Sequence, residues 1–463
     1  MVTVGSMTVS QNKIYQSDLL FKYNLGNHLL IYNPVGDHRM ILLDSAAQQV
    51  FKICLNHTLS QVCDHHLLRN LSKKRIISTV SRLADYGFLS IGKPAISNIS
   101  QSPHKQSLSL WLHLTNRCNF NCSYCYIAKD NGHMSSSVMK TTISNAVEQC
   151  RKHGLENLTI KFSGGEPLLA MDLLRETVYF TRELCSKFDI HTKFQIISNG
   201  SLIDKKITDF LKSHIIPVAC SLDGIGTIND RQRIYFDKYG SFAAIDKGIT
   251  TLLNSNWNPH VLVTITPENV SGLKDLTRYL IKRNLCFRYA FVRDFNNRNL
   301  KSQETKHISQ LFTSELNKCF DDIEISIRVK QFNSKVGLCG INLNRSSNCI
   351  CGVGTSYAAI YHDGSICSCQ MAFNEPLGHV EKDGIIDCIR TRHSLHGLRE
   401  RESNSNWQCN TCIWATICAG GCPMLAQKTF GTTLVSSPYC HAFKELIPRL
   451  IRIRGLALLY SQN

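Results

Sequence analysis

The sequence lacks long apolar runs and a secretory signal. No stretch approaches the roughly 18–20 apolar residues that a membrane helix requires. The N-terminus, Met1–Val4, lacks the basic and then apolar pattern of a signal peptide. We therefore expect a cytoplasmic protein with no membrane partner. The chain has 463 residues, of which 43% are hydrophobic. That composition is ordinary for a globular protein, and the length predicts two or three domains.

Acidic residues are in short supply. The chain has 35 Asp and Glu against 52 Lys and Arg, which gives a net charge of +17. Such an excess predicts acidic partners. The basic residues are dispersed and no nucleic-acid recognition motif is present, so nucleic acid is a poor candidate. An acidic peptide or an acidic electron carrier would fit the charge, and so would a basic surface that is merely solvated.

Cysteine, in contrast, is abundant, with 21 residues. In a reducing compartment this number favours metal ligation over a disulfide framework. Some stand singly, as small buried hydrophobes do: Cys54, Cys63, Cys150, Cys185, Cys220, Cys286 and Cys319. The other fourteen lie in the run Cys118–Cys125 or from Cys339 onward.

The pattern along the chain predicts an α/β protein with three parts. Residues 16–92 look like a small winged-helix-like α/β unit, and the polar stretch 93–108 looks like a linker. Residues 109–330 alternate strand and helix six times, which predicts a parallel sheet in a partial (β/α)6 TIM-like barrel, open on one side. Residues 336–463 are cysteine-rich with few long periodic segments, so we expect metal clusters to order them.

The first cysteine motif follows the first strand of that sheet. Cys118, Cys122 and Cys125 form C-x3-C-x2-C. Three thiolates at this spacing can hold three irons of a four-iron cluster and leave the fourth iron open for a ligand. A zinc site with an open position is the alternative. The next strand runs into Ser163–Pro167 (SGGEP), at the same sheet edge where reactive loops lie in parallel α/β folds.

Together these motifs resemble the radical S-adenosylmethionine (radical SAM) enzymes, over residues 109–291. The resemblance implies that Cys118, Cys122 and Cys125 hold a 4Fe–4S cluster whose open iron binds the amino and carboxylate groups of SAM. The residues that match SAM-contacting positions are Tyr124, Gly164, Gly165, Glu166, Pro167, Asn199, Ser221 and Arg233. Their chemistry agrees, because a carboxylate accepts hydrogen bonds from an ammonium and an arginine fork suits a carboxylate.

A second cysteine pattern fills the C-terminal part and resembles the SPASM extension of radical SAM enzymes that modify peptides and proteins. It consists of C-x12-G-x4-C from Cys351 and C-x2-C-x5-C-x3-C from Cys409, followed by Cys440. The resemblance implies two auxiliary 4Fe–4S clusters. The distal one would use Cys409, Cys412, Cys418 and Cys440. The nearer one would use Cys351, Cys369, Cys422 and a fourth ligand.

The fourth ligand of the nearer cluster stays open at this point. Cys349 is one candidate, Cys339 and Cys367 are others, and an open iron that receives a substrate thiolate is a further alternative. A role for both clusters that is only structural is also open.

The N-terminal unit resembles the small PqqD-like domain of peptide-modifying pathways. Such a domain binds the leader of a precursor peptide by adding it as an extra strand at a sheet edge. A generic winged-helix or dimerisation module is the alternative.

The resemblance as a whole implies a peptide maturase. A 5′-deoxyadenosyl radical would take a hydrogen from a ribosomally made precursor peptide, and a thioether or carbon–carbon cross-link would follow. The cofactors would be SAM and three 4Fe–4S clusters, with a flavodoxin- or ferredoxin-type reductant. One alternative is a sulfatase maturase that makes formylglycine. Those enzymes carry an aspartate base after the cysteine that matches Cys369, whereas this chain has Gln370. The second alternative is a zinc or iron–sulfur module that binds nucleic acid. It gives no reason for the motif Ser163–Pro167.

Overall fold

The computed structural model describes residues 12–17, 19–34, 40–93, 107–293, 302–344, 351–392 and 406–461. Within these ranges no helix is both long and apolar enough to cross a membrane.

The N-terminal unit combines two small antiparallel sheets with three helices. Strand β1 (Ile14–Gln16) pairs with β5 (Leu89–Ile91), and a separate sheet has the order β2-β3-β4. The remaining elements are β2 (Phe21–Leu25), β3 (His28–Tyr32), β4 (Met40–Leu43), α1 (Ser45–Ile53), α2 (Leu59–Cys63) and α3 (Lys73–Asp85). Asp44 begins α1 because its carboxylate accepts a hydrogen bond from the Ala47 amide at 2.7 Å.

A large, mostly parallel sheet forms the centre of the molecule. Its strands are β6 (Ser107–His113), β7 (Asn157–Ser163), β8 (His191–Ser198), β9 (Val218–Ser221), β10 (His260–Ile265), β11 (Cys286–Phe291), β12 (Val336–Leu338), β13 (Tyr357–Ile360), β14 (Ser365–Cys367) and β15 (Gly378–His379). The spatial order is β12-β11-β10-β9-β8-β7-β6-β13-β14-β15. The predicted α/β class with a parallel sheet is therefore confirmed.

The helices that connect these strands bury one face of the sheet. They are α4 (Ser136–Lys152), α5 (Met171–Ser186), α6 (Lys205–Ser213), α7 (Thr227–Asp230), α8 (Phe242–Asn254) and α9 (Leu273–Lys282). Because β6 to β11 are neighbours in chain order, right-handed crossovers all lie on the same side. Side chains that face the helices, such as Leu110, Ile160, Val263 and Phe287, are fully buried.

The C-terminal part completes this sheet rather than standing apart from it. Strand β12 extends one edge and β13 extends the other, so the sheet continues beyond residue 330. The helices here are α10 (Ser302–Arg328), α11 (Ile385–Thr391), α12 (Ala415–Cys418), α13 (Pro423–Phe430) and α14 (Cys440–Ser461). Helix α14 packs on α10, where Arg449 contacts Asp321 at 2.7 Å and Glu324 at 3.2 Å.

The N-terminal unit packs against this C-terminal part. The ring of Phe21 stacks on Trp414 with centroids 4.3 Å apart, and the Tyr32 hydroxyl donates to the Leu343 carbonyl at 3.0 Å. The Thr416 hydroxyl donates to the Pro34 carbonyl at 2.5 Å. Tyr32 is fully buried at this contact, so the unit is anchored there by both apolar and polar interactions.

Candidate functional site

Two loops meet at the carboxyl edge of β6 and β7. The Gly165 amide donates to the Thr115 carbonyl at 2.6 Å, and the Glu166 amide donates to the Arg117 carbonyl at 2.9 Å. A Cβ atom on Gly164 would lie 2.5 Å from the Thr115 oxygen, and one on Gly165 would lie 2.4 Å from the Arg117 oxygen. Only glycine allows this approach of backbone to backbone. The glycines therefore set the position of the segment that leads into Cys118.

The Cys118, Cys122 and Cys125 thiols are half-buried in the loop after β6, and their charges influence one another. The Phe120 amide donates to the Cys118 sulfur at 3.4 Å, and the Lys129 ammonium donates to the Cys125 sulfur at 3.2 Å. Burial raises the pKa of Cys118 and of Cys122. The Lys129 charge partly opposes the rise for Cys118, and the Arg233 charge partly opposes it for Cys122. Three neighbouring thiols with N–H donors and cations around them suit an anionic iron–sulfur cluster.

The Glu166 carboxylate is fully buried and bonded to the protein. One oxygen accepts from the Leu168 amide at 3.0 Å and the Ser198 hydroxyl at 2.8 Å, and the other accepts from the Asn199 amide at 2.7 Å. Burial raises the pKa of this carboxyl, and the three hydrogen bonds oppose that rise. Glu166 thus joins the ends of β7 and β8 and begins the 3-10 turn at Pro167. Its predicted contact with the SAM ammonium stays a prediction.

A buried cluster of Tyr124, Asp223 and Arg233 lies next to the thiols. The Tyr124 hydroxyl donates to Asp223 at 2.5 Å, and Arg233 Nη1 contacts the Tyr124 oxygen at 2.5 Å and the Asp223 carboxylate at 3.3 Å. Burial alone would lower the pKa of Arg233, but Tyr124, the Cys122 thiol and Asp223 together raise it well above its usual value. This arginine is therefore a permanent buried cation.

One donor of Arg233 has no partner among the described residues. Its Nε atom is buried and makes no hydrogen bond. A buried unsatisfied donor is costly, so such an atom marks a place where a ligand can bind. An anionic group such as the SAM carboxylate would suit this donor, and the contact of Arg233 with SAM stays a prediction. Ser221, at the end of β9, is half-buried, and its contact with SAM stays a prediction.

Asn199 belongs to a polar network beside Cys118. Its side-chain amide donates to Asn119 Oδ1 at 2.8 Å and reaches the Cys118 sulfur at 4.0 Å, while its oxygen accepts from the Ser201 hydroxyl at 2.7 Å. In the structure this residue therefore contacts the first cysteine, and its predicted contact with the SAM ribose stays untested.

Four of the C-terminal cysteines line one small cleft. Cys409, Cys412, Cys418 and Cys440 share it with Trp414. Gly420, at φ +69°, closes one side, and a Cβ atom there would lie 3.4 Å from the Cys409 sulfur. The structure thus brings together all four residues that the sequence assigned to the distal cluster.

A second group of cysteines surrounds Arg293. Arg293 Nη2 donates to the Cys339 sulfur at 3.4 Å, and Cys339 and Cys422 line the same cleft as Arg293. Burial alone would lower the pKa of Arg293, but four thiols raise it above its usual value. Those thiols belong to Cys422, Cys339, Cys369 and Cys351.

The three candidates for a fourth ligand differ in position. Cys339 lies in the Arg293 group, whereas Cys349 lies outside the described residues. Cys367 is fully buried in β14, where burial raises the pKa of its thiol to about 12. The neutral thiol of Cys367 is typical of a core residue. Among the described residues, no set of three or more His, Cys, Asp or Glu side chains is grouped so as to hold a single metal ion.

Sequence reasoning missed Asp223, Lys129 and Arg293. Asp223 follows β9 directly, so a carboxylate at a strand end was a signal that could have been used. No local pattern marks Lys129 or Arg293, because their contacts to sulfur depend on the tertiary fold.

Comparison with known proteins identifies the central part of the chain. Residues 112–280 match the family model described as the Radical SAM superfamily. This segment is therefore similar to proteins of that superfamily, whose members use SAM and a 4Fe–4S cluster.

Two curated relatives resemble much of the chain. A cysteine-type anaerobic sulfatase-maturating enzyme of Clostridium novyi (strain NT) is 23% identical over 369 residues, which span 75% of this chain and 96% of that protein. The antilisterial bacteriocin subtilosin biosynthesis protein AlbA of Bacillus subtilis (strain 168) is 24% identical over 372 residues, which span 77% of this chain and 75% of that protein.

Two solved structures share the fold. A structure described as native anSMEcpe with bound AdoMet and Cp18Cys peptide has a TM-score of 0.62 at 20% identity, covering 75% of this chain and 99% of that one. The structure of Streptococcus suis SuiB bound to precursor peptide SuiA has a TM-score of 0.52 at 16% identity, covering 91% of this chain and 98% of that one. The second likeness in fold extends over nearly the whole chain.

Asp223→Asn should weaken SAM binding and stability together. The change leaves Arg233 buried with a neutral partner, at a cost of about 3–5 kcal/mol in the free energy of unfolding. Thermal unfolding and titration of the reconstituted protein with SAM measure the two effects. Asp275→Asn, at an exposed position of α9, is the matched control and should change neither. A SAM affinity equal to that of the control would contradict a role of Arg233 in binding SAM.

Proposed function

We propose that this chain is a radical SAM enzyme that modifies a ribosomally made precursor peptide by hydrogen-atom abstraction and closes a thioether or carbon–carbon cross-link in it. The observation that carries the proposal is the group of three thiols beside the unpartnered, buried Nε of Arg233. The likeness to a subtilosin biosynthesis protein and to a structure with a bound precursor peptide supports a peptide as the substrate.

Cys118, Cys122 and Cys125 would hold the first 4Fe–4S cluster, and Arg233 would bind the carboxylate of SAM. When bound, this pair would supply an electron and a 5′-deoxyadenosyl radical that takes a hydrogen atom from the peptide. The chain's own part is to orient these groups. Asp223 and Tyr124 hold the arginine, and the Asn199 network lies against the first cysteine. Catalysis by a reactive radical requires such positioning.

Two auxiliary 4Fe–4S clusters complete the proposal. Cys409, Cys412, Cys418 and Cys440 would hold the distal cluster, which their common cleft supports. Cys351, Cys369, Cys422 and Cys339 would hold the nearer one. The hydrogen bond from Arg293 to Cys339 supports this choice, because a cation near the cluster offsets its negative charge.

Cys339→Ala and Cys367→Ala separate two of the candidate ligands. Iron content and electron paramagnetic resonance of the reduced protein measure the clusters. Cys339→Ala should lower the iron content or change the spectrum of the nearer cluster, whereas Cys367→Ala should keep both and lose only packing energy, about 1–3 kcal/mol. If Cys339→Ala keeps its iron content and spectrum while Cys349→Ala loses the cluster, the fourth ligand is Cys349 instead.

The N-terminal unit would bind the leader of the precursor. Strands β2 and β4 are the two outer strands of its three-stranded sheet, and an outer strand offers unpaired backbone groups to a partner peptide. On β2 the side chains of Lys22 and Asn24 are exposed. The contacts of Phe21 and Tyr32 with the C-terminal part would hold such a leader at a constant distance from the clusters.

Amide hydrogen exchange tests this docking directly. Addition of the precursor, taken as the short peptide encoded beside the maturase, should slow exchange along β2 or β4, because a new strand supplies hydrogen-bond partners. A precursor without its leader is the control and should leave the exchange unchanged. Binding of the full precursor without protection at either strand would rule out this mode of recognition.

The remaining parts of the proposal concern the reductant and the location. A flavodoxin- or ferredoxin-type protein in the cytoplasm would supply the electron. The net charge of +17 supports an acidic carrier, because opposite charge speeds association.

A sulfatase-type maturase is the second candidate function. The likeness to the Clostridium novyi enzyme spans almost all of that protein and supports this candidate as well as the first. Against it stands Gln370, whose Oε1 accepts a hydrogen bond from the Tyr357 hydroxyl at 2.5 Å. A carboxamide there cannot take a proton as the aspartate base of those enzymes would.

The reconstituted protein should cleave SAM. Incubation with SAM and dithionite without oxygen should yield 5′-deoxyadenosine, measured by chromatography. A variant with Cys118→Ala, Cys122→Ala and Cys125→Ala should make none while it retains iron, because the other clusters have separate ligands. Complete loss of iron would contradict the separation of the clusters, and a fully loaded protein without product would refute both candidate functions.

The mass of the modified peptide distinguishes the two functions. A cross-link removes two hydrogen atoms and joins two residues, so fragment ions between them disappear. Formylglycine formation changes one residue, which a carbonyl-specific reagent labels.

A further inference from the structure

The central sheet has two faces of opposite character. Cross-strand partners in a parallel sheet project to the same side, so the register assigns each strand residue to a face. The face toward the helices is apolar and buried. The other, which we call the inner face, carries more polar side chains, most of them half-buried or exposed. Its residues include Ser109, Trp111, Thr159, Lys161, Lys193, Gln195, Ser221, His260, Leu262, Thr264, Arg288 and Tyr357.

The inner face is cationic. Lys161, Lys193 and Arg288 lie on it, and no Asp or Glu occupies an inner-face position of the described strands. Neither Lys161 nor Arg288 forms an ion pair with a described residue. Lys161 Nζ lies over the ring of Tyr357, 6.0 Å from its centroid. Lys161 is half-buried and Arg288 is exposed, and unpaired cations attract anions, more strongly where they are partly desolvated.

Lys161 and Arg288 both belong to the inner face by the strand register. They lie on β7 and β11, four strands apart, which is roughly 19 Å along a sheet with about 4.8 Å between strands. Nevertheless the two charges interact: burial lowers the pKa of Lys161, Arg288 lowers it further, and Cys351 raises it. That interaction, together with the shared face, indicates that the sheet curves into a concavity with both cations on it.

Two buried donors lie in the same concavity. Trp111 Nε1 and Ser109 Oγ are buried without a hydrogen-bond partner among the described residues. Trp111 is the cross-strand neighbour of Lys161, and Ser109 is that of Tyr357. Lys161 also precedes the strand end at Ser163 by two residues, or about 7 Å, so the concavity opens toward the cysteine loop.

We propose that the inner face binds a carboxylate of the substrate peptide, held between Lys161 and Arg288 with Trp111 and Ser109 as further donors. This assignment rests on the proposed function and adds the chemical class of the residue next to the site of modification: an aspartate, a glutamate or a C-terminal carboxylate. The carboxylate would draw the peptide to a position below the first cysteine cluster. An amide in its place would leave both cations unpaired.

Two synthetic peptides test the proposal on the reconstituted holoenzyme with SAM. Each is acetylated and amidated and alternates glycine with either three aspartates or three asparagines. Calorimetry at low ionic strength should show the aspartate peptide to bind about tenfold more tightly. Lys161→Gln with Arg288→Gln should abolish this preference, whereas Lys161→Arg should keep it.

A matched control separates the inner face from the overall charge. Lys247→Gln with Lys282→Gln removes the same two charges from exposed positions on α8 and α9 and should retain the preference. Three results would overturn the proposal. Both double variants could lose the preference, the inner-face variant could keep it, or the wild type could bind the two peptides equally.

The closing measurement distinguishes failure here from failure of the proposed function. The inner-face variant should form 5′-deoxyadenosine from SAM without peptide at the wild-type rate and keep its cluster spectra. If the wild type cleaves SAM yet shows no preference, only the carboxylate site is refuted. If the wild type cleaves no SAM, the proposed function is refuted regardless of how the two peptides bind. Altered spectra with an unchanged preference would assign Lys161 and Arg288 to the auxiliary cluster and overturn the proposal.

Discussion

The contact between two stretches of bare backbone positions the first cysteine loop. Gly164 and Gly165 let the end of β7 lie against Thr115–Arg117, with hydrogen bonds of 2.6 and 2.9 Å and no room for a Cβ atom on either glycine. Cys118 follows Arg117 directly. Because this contact joins the ends of two neighbouring strands, a shift in one would move the thiols relative to Arg233. The geometry of the site therefore depends on backbone packing more than on any single side chain.

Buried carboxylates extend that arrangement across the strand ends. Glu166 joins β7 to the Ser198–Asn199 turn, and Asp223 accepts from the Thr264 amide at 2.7 Å while it holds Arg233. A buried carboxylate is stable only with several donors, and each of these has them. Together they connect β7, β8, β9 and β10 at the edge where the thiols lie. Both acids thus stabilise a rigid edge, which is what a site for radical chemistry requires.

Much of the fold could be predicted from the sequence, because β6 to β11 and their helices have strong periodic patterns. The strands β12 to β15 were not predicted, because segments of two to four residues are too short to show an alternation of apolar and polar side chains. In addition, β13 pairs with β6, a strand about 250 positions earlier in the chain. The first cysteine motif and the two glycines could be predicted because their roles depend on a fixed local spacing, which the sequence shows directly. Sequence cannot show that the oxygens of Glu166 accept hydrogen bonds from Ser198 and Asn199, so this local role was not predicted, and its contact with SAM stays a prediction.

The position of the nearer cysteine group supports a closed curvature of the sheet. Cys339 follows β12, the strand at one edge, and Cys351 and Cys369 flank β13 and β14, which lie near the other edge. Seven strand spacings separate β12 from β13, which would be about 34 Å in a flat sheet. Arg293 nevertheless bonds the Cys339 sulfur and interacts with Cys351 and Cys369. These interactions indicate that the sheet curves, so that both cysteine segments lie near Arg293. Ligands drawn from both segments would hold that curvature, and the same curvature would shorten the distance between Lys161 and Arg288 on the inner face.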